Sequence, residues 1–461
     1  MTTAQPRLLV AAAASGSGKT TIVCGLLAAL YRRGLRVMGY KVGPDYIDPG
    51  FHRAAGHCEV LSLDTWLTPP AVMKGLFART SRGADVAVAE GVMGLYDGGR
   101  GGVSSSAEIA KLLGLPVVLV VDARSMGQSA AAVALGFREY DRSVDLRGVI
   151  LNRLGSASHR DTIAEALERV GIPLLGAVMR DEALALPERH LGLVPEAETH
   201  DAAHLDRIRE AVERGVDVDA LLAIARSAPP LSLPPEGTRS RAAKDVRIAV
   251  AQDLAFSFYY PDSLSALEDR GAELIPFSPM QDEALPEADG VILGGGFPER
   301  FAGELAANAA MRRSVARAAE RGVPILAECG GMMYLCRSIT DMEGAAFEMA
   351  GVLPASCRMQ HRLEAVGYVE ARALRDTVLG PAGTLLRGHE FHFSAMTPEA
   401  EDFPWAFRIE RKRTGAAHSG GYARGNVLAS YLHLNLAGLP DAAESFLARC
   451  RAFRGASAGG R

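Results

Sequence analysis

The chain has 461 residues, with 50 Lys and Arg against 54 Asp and Glu, and a formal net charge of −4. This length predicts two or three domains, and the near-neutral charge excludes the basic footprint of a nucleic-acid-binding protein. No apolar run reaches the roughly 20 residues of a membrane-spanning helix, and the N-terminus lacks a signal-peptide core. The six cysteines form no CxxC pair, so we expect reduced thiols in a soluble, cytoplasmic protein without nucleic-acid or membrane partners.

Short apolar runs alternate with helical patterns through the first 200 residues. The runs are "RLLVAAA", "RVMGYKV", "ADVAVAE", "PVVLVVD" and "GVILNR". Such alternation is typical of βαβ units, in which helices cover both faces of a parallel sheet. Residues 1–225 are therefore predicted to form an α/β domain.

A Pro- and Ser-rich stretch, "RSAPPLSLPPEGTRSRAAKD", interrupts this pattern and predicts a linker over residues 226–245. A second alternating series follows, with the runs "VRIAVAQ", "AELIPF", "GVILGGG", "VPILAEC", "AVGYVEA", "GHEFHFS" and "VLASYLHLN". It predicts a second α/β domain over residues 246–440. Residues 441–461 are predicted to form a C-terminal helix and a disordered tail.

The stretch "ASGSGKTT" lies between the first strand and a helical pattern, which is the context of a phosphate-binding loop. Ala13 stands where the usual pattern has its first glycine. Gly16 and Gly18 can turn backbone N–H groups toward an anion, Lys19 can neutralise phosphates, and the Thr20 hydroxyl can bind Mg²⁺. The predicted ATP-binding residues of this loop are Ser15, Gly16, Ser17, Gly18, Lys19, Thr20 and Thr21.

Two further strand ends offer the charges that phosphoryl chemistry requires. They are "KVGPDYIDPGFH" and "VAVAEGVMGLYDGG", and they meet at the ligand-binding edge of a doubly wound sheet. We assign Asp48 and Glu90, with Thr20, to Mg²⁺, and Asp45 and Asp97 to catalysis. Lys41 joins the ATP-binding set. So does Asn152, whose amide could read a purine edge, although a strand-end Asn in a turn is nearly as common.

In the second half, "VPILAECGGMMYL" predicts a strand, a sharp turn at Cys329 and a helix. Such an elbow exposes a nucleophile and directs the following N–H groups at an oxyanion. His433 follows another strand and can act as the base. The predicted oxyanion donors are Gly295, Gly296 and Gly330, with Gly331 as a further one.

The run "GHEFHFS" contains His389, Glu390 and His392, which could suggest a metal site. Zinc proteases, however, carry two histidines four residues apart on a helix, whereas these are three apart in a strand-like run. Alternation sends them to opposite faces. A substrate-facing or packing role is therefore favoured.

These motifs, together with "ALALPERHLGLV", occur in the order of the cobyrinate a,c-diamide synthases of the cobalamin pathway, a family that the whole chain resembles. The resemblance implies a first domain of the dethiobiotin synthetase-like ATPase type, which tolerates Ala13. It implies a second domain like the class I glutamine amidotransferases, in which a Glu two residues after the His completes a triad. In this chain that position is Asn435, which suggests a Cys-His dyad without the usual orienting carboxylate.

The resemblance also implies the activity. ATP with Mg²⁺ would phosphorylate the a and c acetate groups of a corrinoid, Cys329 would attack L-glutamine, and His433 would transfer protons. Ammonia would then pass to the first domain. A homodimer is compatible with this family.

Several alternatives stay open at this stage. Within the family, the substrate could be hydrogenobyrinate or nickel-sirohydrochlorin. The related cobyric acid synthase is disfavoured, because the motifs "PDYIDP" and "EGVMGLYDG" resemble those of the a,c-diamide synthases. A ParA/MinD-type ATPase switch would carry a lysine where this chain has Ala14. An inactive, regulatory glutaminase would require the loss of Cys329 or His433, and both are present.

Overall fold

The computed structural model describes residues 2–3, 5–189, 192–193, 201–232 and 242–459. The chain divides into two compact units, the first with residues 1–65 and 69–237 and the second with residues 66–68 and 238–461. Of the predicted linker, residues 233–241 lie outside the described part of the chain.

A parallel sheet forms the centre of the first unit, as the alternating pattern predicts. Within the described residues it has seven strands, in the spatial order Val60–Leu63, Val37–Val42, Val86–Glu90, Arg7–Ala12, Val117–Asp122, Leu146–Leu154 and Leu174–Met179. The sequence analysis missed both edge strands, Val60–Leu63 and Leu174–Met179. Two small antiparallel pairs join Thr2–Thr3 to Leu231–Ser232 and Glu188–Arg189 to Gly192–Leu193.

Helices cover both faces of this sheet. The strand Arg7–Ala12 shows why, because Leu8 and Val10 belong to one apolar core and Leu9 and Ala11 to the other. A strand buried on both faces reads as a continuous apolar run. The α-helices are Lys19–Arg32, Asp48–Gly56, Pro70–Thr80, Ser106–Leu113, Ser129–Tyr140, Ala157–Arg169, Ala202–Gly215 and Val218–Arg226, and the 3₁₀ turns are Arg100–Gly102 and Glu182–Leu184.

The second unit is built on a mixed sheet of nine strands in the described chain. Their spatial order is Ala272–Phe277, Val246–Ala251, Gly290–Leu293, Ile325–Glu328, Val427–Ser430, Ala417–Arg424, Trp405–Arg411, Ala365–Ala373 and Leu385–His392. The first five strands are parallel and the remaining pairs are antiparallel. A smaller sheet contains Ala346–Glu348, Ser338–Thr340, Ala355–Met359 and Ser394–Pro398. This α/β architecture agrees with the predicted fold class.

The α-helices of the second unit are Pro261–Glu268, Ala302–Ala307, Ala309–Glu320, Gly330–Leu335 and Pro440–Gly459, with a 3₁₀ turn at Pro298–Phe301. The last helix continues to Gly459, so most of the tail that was expected to be disordered is helical. In the described residues, no helix combines the length and apolarity needed to cross a bilayer. All six cysteines are free thiols.

Candidate active sites

The phosphate loop connects the strand Arg7–Ala12 to the helix Lys19–Arg32. Gly16 and Gly18 have φ values of 73° and 85°, in the left-handed region that favours glycine. A Cβ on Gly18 would lie 2.2 Å from the Asn152 amide nitrogen. The Ala13 N–H instead donates to the Val120 carbonyl at 3.4 Å, which extends the strand pairing. The loop therefore needs glycine at 16 and 18, while residue 13 accommodates a side chain.

Lys19 is buried at the start of the helix. Its ammonium donates to the Met93 carbonyl at 2.6 Å and lies 3.4 Å from the Ala14 carbonyl. Burial lowers its pKa, which carboxylates including Glu90 partly oppose. Ser15 is exposed at the loop surface. The loop thus presents a cation and free N–H groups at a helix N-terminus, which suits an anionic ligand.

A cluster of charged side chains lies beside the loop. The Thr20 hydroxyl donates to Glu90 at 3.0 Å and to Asp48 at 3.3 Å. The Lys41 ammonium lies 2.7 Å from a carboxylate oxygen of each acid. The three residues assigned to Mg²⁺ therefore converge, whereas Lys41, assigned to ATP, lies among the carboxylates and neutralises them.

The sequence analysis missed one member of this cluster. His52 Nε2 lies 2.6 Å from Glu90 Oε2, and both side chains are fully buried. His52 follows Asp48 by four residues on the helix Asp48–Gly56, so both side chains lie on one helix face. That spacing is the signal by which the residue could have been found.

Burial and neighbouring charges set the protonation of this cluster. Burial would raise the pKa of Glu90, but Lys41 and His52 outweigh it and hold that pKa below its usual range. Burial and the nearby Asp45 raise the pKa of Asp48 to about 7. Lys41 thus keeps Glu90 ionised, while Asp48 is shifted toward its protonated form.

The two acids assigned to catalysis lie at the same strand ends. Asp45 accepts hydrogen bonds from the Ile47 and Asp48 N–H groups, at 2.8 and 3.1 Å. Asp97 accepts one from the Gly94 N–H at 3.0 Å. Both carboxylates therefore hold turns, and a catalytic role for them stays a prediction.

Asn152 braces the phosphate loop in this structure. Its amide nitrogen donates to the Ser17 carbonyl at 3.0 Å, and its oxygen accepts from the Arg153 N–H at 2.9 Å. The Arg153 guanidinium donates to the Gly16 carbonyl at 2.6 Å. Because both amide atoms are engaged, reading of a purine edge would require the side chain to change partners.

The second unit contains the predicted nucleophile elbow. Cys329 follows the strand Ile325–Glu328 and begins the helix Gly330–Leu335, with φ 47° and ψ −103°. Such a positive φ is strained for a residue with a side chain, and it is typical of functional sites. The Cys329 N–H donates to the Ser430 carbonyl at 2.7 Å, which links the elbow to the strand before His433. Burial raises the pKa of the Cys329 thiol.

His433 is held tightly beside the elbow. Its backbone exchanges two hydrogen bonds with His389, at 2.9 and 3.1 Å, and the two rings stack at 4.8 Å. The Nδ1 atom lies 3.9 Å from Oε2 of Glu328, the residue before Cys329. Burial, with His389 and His392, holds the pKa of His433 well below its usual value. The structure thus places Cys329 and His433 just after neighbouring strands of one sheet, and burial shifts the pKa of each side chain toward its neutral form.

The glycines near Cys329 allow close backbone approach. A Cβ on Gly330 would lie 3.1 Å from the Gly296 nitrogen, and one on Gly295 would lie 2.8 Å from His433 Cε1. The Gly330 backbone lies close enough to the Cys329 thiol to oppose the rise of its pKa. The Gly331 N–H, however, donates to the Gly294 carbonyl at 2.9 Å, so the expectation that it serves an oxyanion was wrong.

The histidines of "GHEFHFS" pack within the second unit. His389 Nε2 lies 2.9 Å from the Tyr260 hydroxyl, while the His392 ring stacks on Tyr431 at 3.7 Å. His389 thereby contacts His433 through both its ring and its backbone. The sequence predicted neither of these partners.

One unit carries a phosphate loop with an acidic cluster, and the other carries a cysteine elbow with a buried histidine. Together they define a glutamine-dependent ligase that forms C–N bonds. Residues 8–194 match the CobQ/CobB/MinD/ParA nucleotide binding domain, and residues 247–439 match the CobB/CobQ-like glutamine amidotransferase domain.

Curated relatives resemble the chain over nearly its whole length. A cobyrinate a,c-diamide synthase of Syntrophotalea carbinolica is 44% identical and covers 97% of this chain and 99% of its own. One of Salmonella typhimurium is 42% identical, over 96% and 98% of the two chains. A hydrogenobyrinate a,c-diamide synthase of Streptomyces coelicolor is 43% identical, over 97% and 98%. The chain belongs to the family of cobyrinate a,c-diamide synthases.

Proposed function

We propose that this protein amidates the a and c acetate carboxylates of cobyrinate, with ATP as the activating substrate and L-glutamine as the nitrogen donor. The observation that carries the proposal is the near full-length similarity to proteins named for this reaction, with the loop lysine and elbow cysteine both in place. ATP and reduced thiols also fit a cytoplasmic enzyme.

The first unit would supply the electrophile. A carboxylate oxygen of the substrate attacks the γ-phosphorus of ATP, ADP leaves, and an acyl phosphate forms. Lys19 and the loop N–H groups would bind the phosphates, with Thr20 at the same helix N-terminus. Asp45 and Asp97, at the adjoining strand ends, would position the substrate and the transferred group.

The acidic cluster suits Mg²⁺. Thr20, Asp48 and Glu90 present oxygen atoms, which this hard cation prefers. Burial together with the nearby Asp45 raises the pKa of Asp48, and a bound cation would favour its ionised form. When bound, Mg²⁺ would neutralise phosphate oxygens. Lys41 keeps the two carboxylates in place through its contacts of 2.7 Å.

The second unit would supply the nucleophile. Cys329 transfers its proton to His433 and attacks the glutamine amide, and the oxyanion is stabilised by backbone N–H groups at Gly330 and Gly296. Ammonia leaves with the proton from His433, and water then releases glutamate from the thioester. Ammonia attacks the acyl phosphate, phosphate leaves, and the amide forms.

Two substitutions test this division of labour. Cys329→Ala should abolish glutamine-dependent amidation while ammonium salts still support it, and Lys19→Ala should abolish both reactions. A Cys329→Ala protein that folds but loses the ammonia-dependent reaction as completely would overturn the proposal.

Hydrogenobyrinate is the second candidate substrate, because the Streptomyces coelicolor relative is named for it. Purified protein should be assayed with cobyrinate and with hydrogenobyrinate, and scored by mass for two added amides. We expect faster turnover of cobyrinate; a strong preference for hydrogenobyrinate would reverse the assignment.

A further inference from the structure

Asn435 occupies the position where glutaminases with a triad carry their acid. Its amide nitrogen donates to Asp262 at 2.8 Å, and its oxygen accepts from the Ala437 N–H at 3.0 Å. The side chain is 1% exposed. Asn435 therefore joins the helix Pro261–Glu268 to the chain after His433, and it has no carboxylate to offer the imidazole.

A different residue brings a carboxyl group to that ring. Glu328 Oε2 lies 3.9 Å from His433 Nδ1, with the two side chains 14% and 2% exposed. Strand pairing explains the approach, since Glu328 lies opposite Ser430 in the parallel register. The backbone of Leu434, next to His433, lies close enough to the Glu328 carboxyl group to oppose the rise of its pKa. The carboxyl group therefore lies beside the segment that carries the base.

We propose that Glu328 is the positioning residue of the glutaminase site, so that Cys329, His433 and Glu328 form a rearranged triad. This inference rests on the proposed function. The Glu328 carboxylate would accept the Nδ1–H of His433, so that Nε2 carries no proton and can take the one from the thiol. It would also stabilise the imidazolium that forms in that step. In this triad the acid, Glu328, directly precedes the nucleophile Cys329 in sequence, whereas in the usual arrangement the acid lies two residues after the histidine.

The remaining distance can close when the substrate binds. Catalytic hydrogen bonds are often long in structures without substrate and shorten in the complex. Glu328 borders a cavity of about 30 Å³ that is also lined by Tyr259 and Leu434. The Glu328 side chain is therefore not tightly packed on the side that faces this cavity.

The groups that face this pair favour the neutral state at rest. His389 and His392 lie near His433, while Tyr259 and Cys329 lie near Glu328. Burial raises the pKa of Glu328 to about 8, although the Leu434 N–H opposes the shift. A protonated Glu328 would donate to Nδ1 and stabilise the wrong tautomer. Glutamine hydrolysis should therefore rise with pH as Glu328 ionises.

Glu328→Gln tests the inference, because it removes the ionisation and keeps the shape. We expect kcat for glutamine hydrolysis to fall roughly 100-fold, which is less than the roughly 10⁴-fold loss seen when a Ser-His-Asp triad loses its acid. KM should change little, and the rise in kcat/KM near pH 8 should disappear. Ammonia-dependent amidation should stay at the wild-type rate, which separates this inference from the proposed function.

A matched control is Glu370→Gln. Glu370 lies in the same sheet at 21% exposure, with Lys412 at 3.0 Å. The Glu370→Gln substitution should leave kcat and the pH profile of glutamine hydrolysis unchanged. Glu328→Asp should keep the pH dependence, displaced to lower pH, and recover part of kcat. If Glu328→Gln fails to fold, the pH profile of Glu328→Asp tests the inference instead. Wild-type kcat and pH profile in Glu328→Gln, or a Glu328→Asp profile without any pH displacement, would overturn the inference.

Discussion

Replacement of Lys41 by methionine should destabilise the first unit far more than the same replacement at Lys111. Lys41 is 3% exposed and contacts Asp48 and Glu90 at 2.7 Å, and Glu90 is fully buried. Removal of one partner from a buried ion pair costs about 3–5 kcal/mol, because the other charge stays uncompensated. That cost corresponds to a change of roughly 150- to 5,000-fold in the unfolding equilibrium.

Lys111 provides a control at equal distance. Its ammonium also lies 2.7 Å from a carboxylate, that of Asp141, but its side chain is 43% exposed. Water screens such a surface pair, so Lys111→Met should cost at most about 1 kcal/mol. Burial is then the variable that differs between the two substitutions.

The unfolding of the two units can be separated by optical probes. Both tryptophans, Trp66 and Trp405, belong to the second unit. A urea transition seen by far-UV circular dichroism but not by tryptophan fluorescence therefore reports the first unit. The free energy of this transition should fall by at least 3 kcal/mol in Lys41→Met, as a rough lower bound.

The loss of unfolding free energy in Lys41→Met should also grow with pH. Without Lys41, the buried carboxyl groups of Asp48 and Glu90 take up protons on folding, since their folded pKa values rise above the unfolded ones. A group with a raised folded pKa loses its stabilising contribution as pH rises through that value. The deficit should therefore be larger at pH 8 than at pH 6. Equal losses in Lys41→Met and Lys111→Met, or a deficit independent of pH, would refute the reasoning.

Two other predictions concern metal affinity and backbone packing. Because the pKa of Asp48 is raised to about 7, the proton competes with Mg²⁺ below pH 7, and Mg·ATP affinity measured by calorimetry should rise with pH until about pH 7. Asp48→Asn should remove that component, and an unchanged pH profile would contradict the assignment. Gly331→Ala places a Cβ 2.1 Å from the Leu293 carbonyl oxygen, so it should cost about 2 kcal/mol or more in urea unfolding followed by fluorescence. Gly303→Ala, whose Cβ would lie 3.9 Å from Phe347, should cost nothing, and equal losses would count against the packing argument.

The features that sequence predicted are those encoded by short, continuous stretches. Local spacing predicts the glycine turns at residues 16 and 18 and the elbow at Cys329, because a strand, a turn and a helix are each encoded by a few consecutive residues. The alternation of apolar runs likewise gives the parallel sheet. His52 and Glu328 were missed although they stand inside quoted motifs. Their roles depend on which side chain they meet, and that is fixed by helix facing and strand register.

The antiparallel strands Trp405–Arg411 and Ala417–Arg424 were also missed. They carry "WAFRIER" and "AHSGGYAR", whose charges and glycines obscure an apolar period. Their pairing with one another and with neighbouring strands provides the burial that single-sequence patterns cannot show. The same long-range pairing places the strand Val427–Ser430 beside Ile325–Glu328, so that Cys329 and His433 follow neighbouring strands.

The two sites use opposite electrostatics, and the difference matches what each must hold. The first buries permanent charges, with Lys41 neutralising Glu90 in place, because its ligand is a triphosphate whose charge must be met by fixed cations. The second buries groups whose pKa values all shift toward the neutral form, since those of Cys329 and Glu328 rise and that of His433 falls. A neutral site fits an uncharged amide group and releases ammonia as the free base, which is the form that can attack an acyl phosphate. Ionisation of Glu328 then places one negative charge beside His433, where it can stabilise the imidazolium that forms during proton transfer.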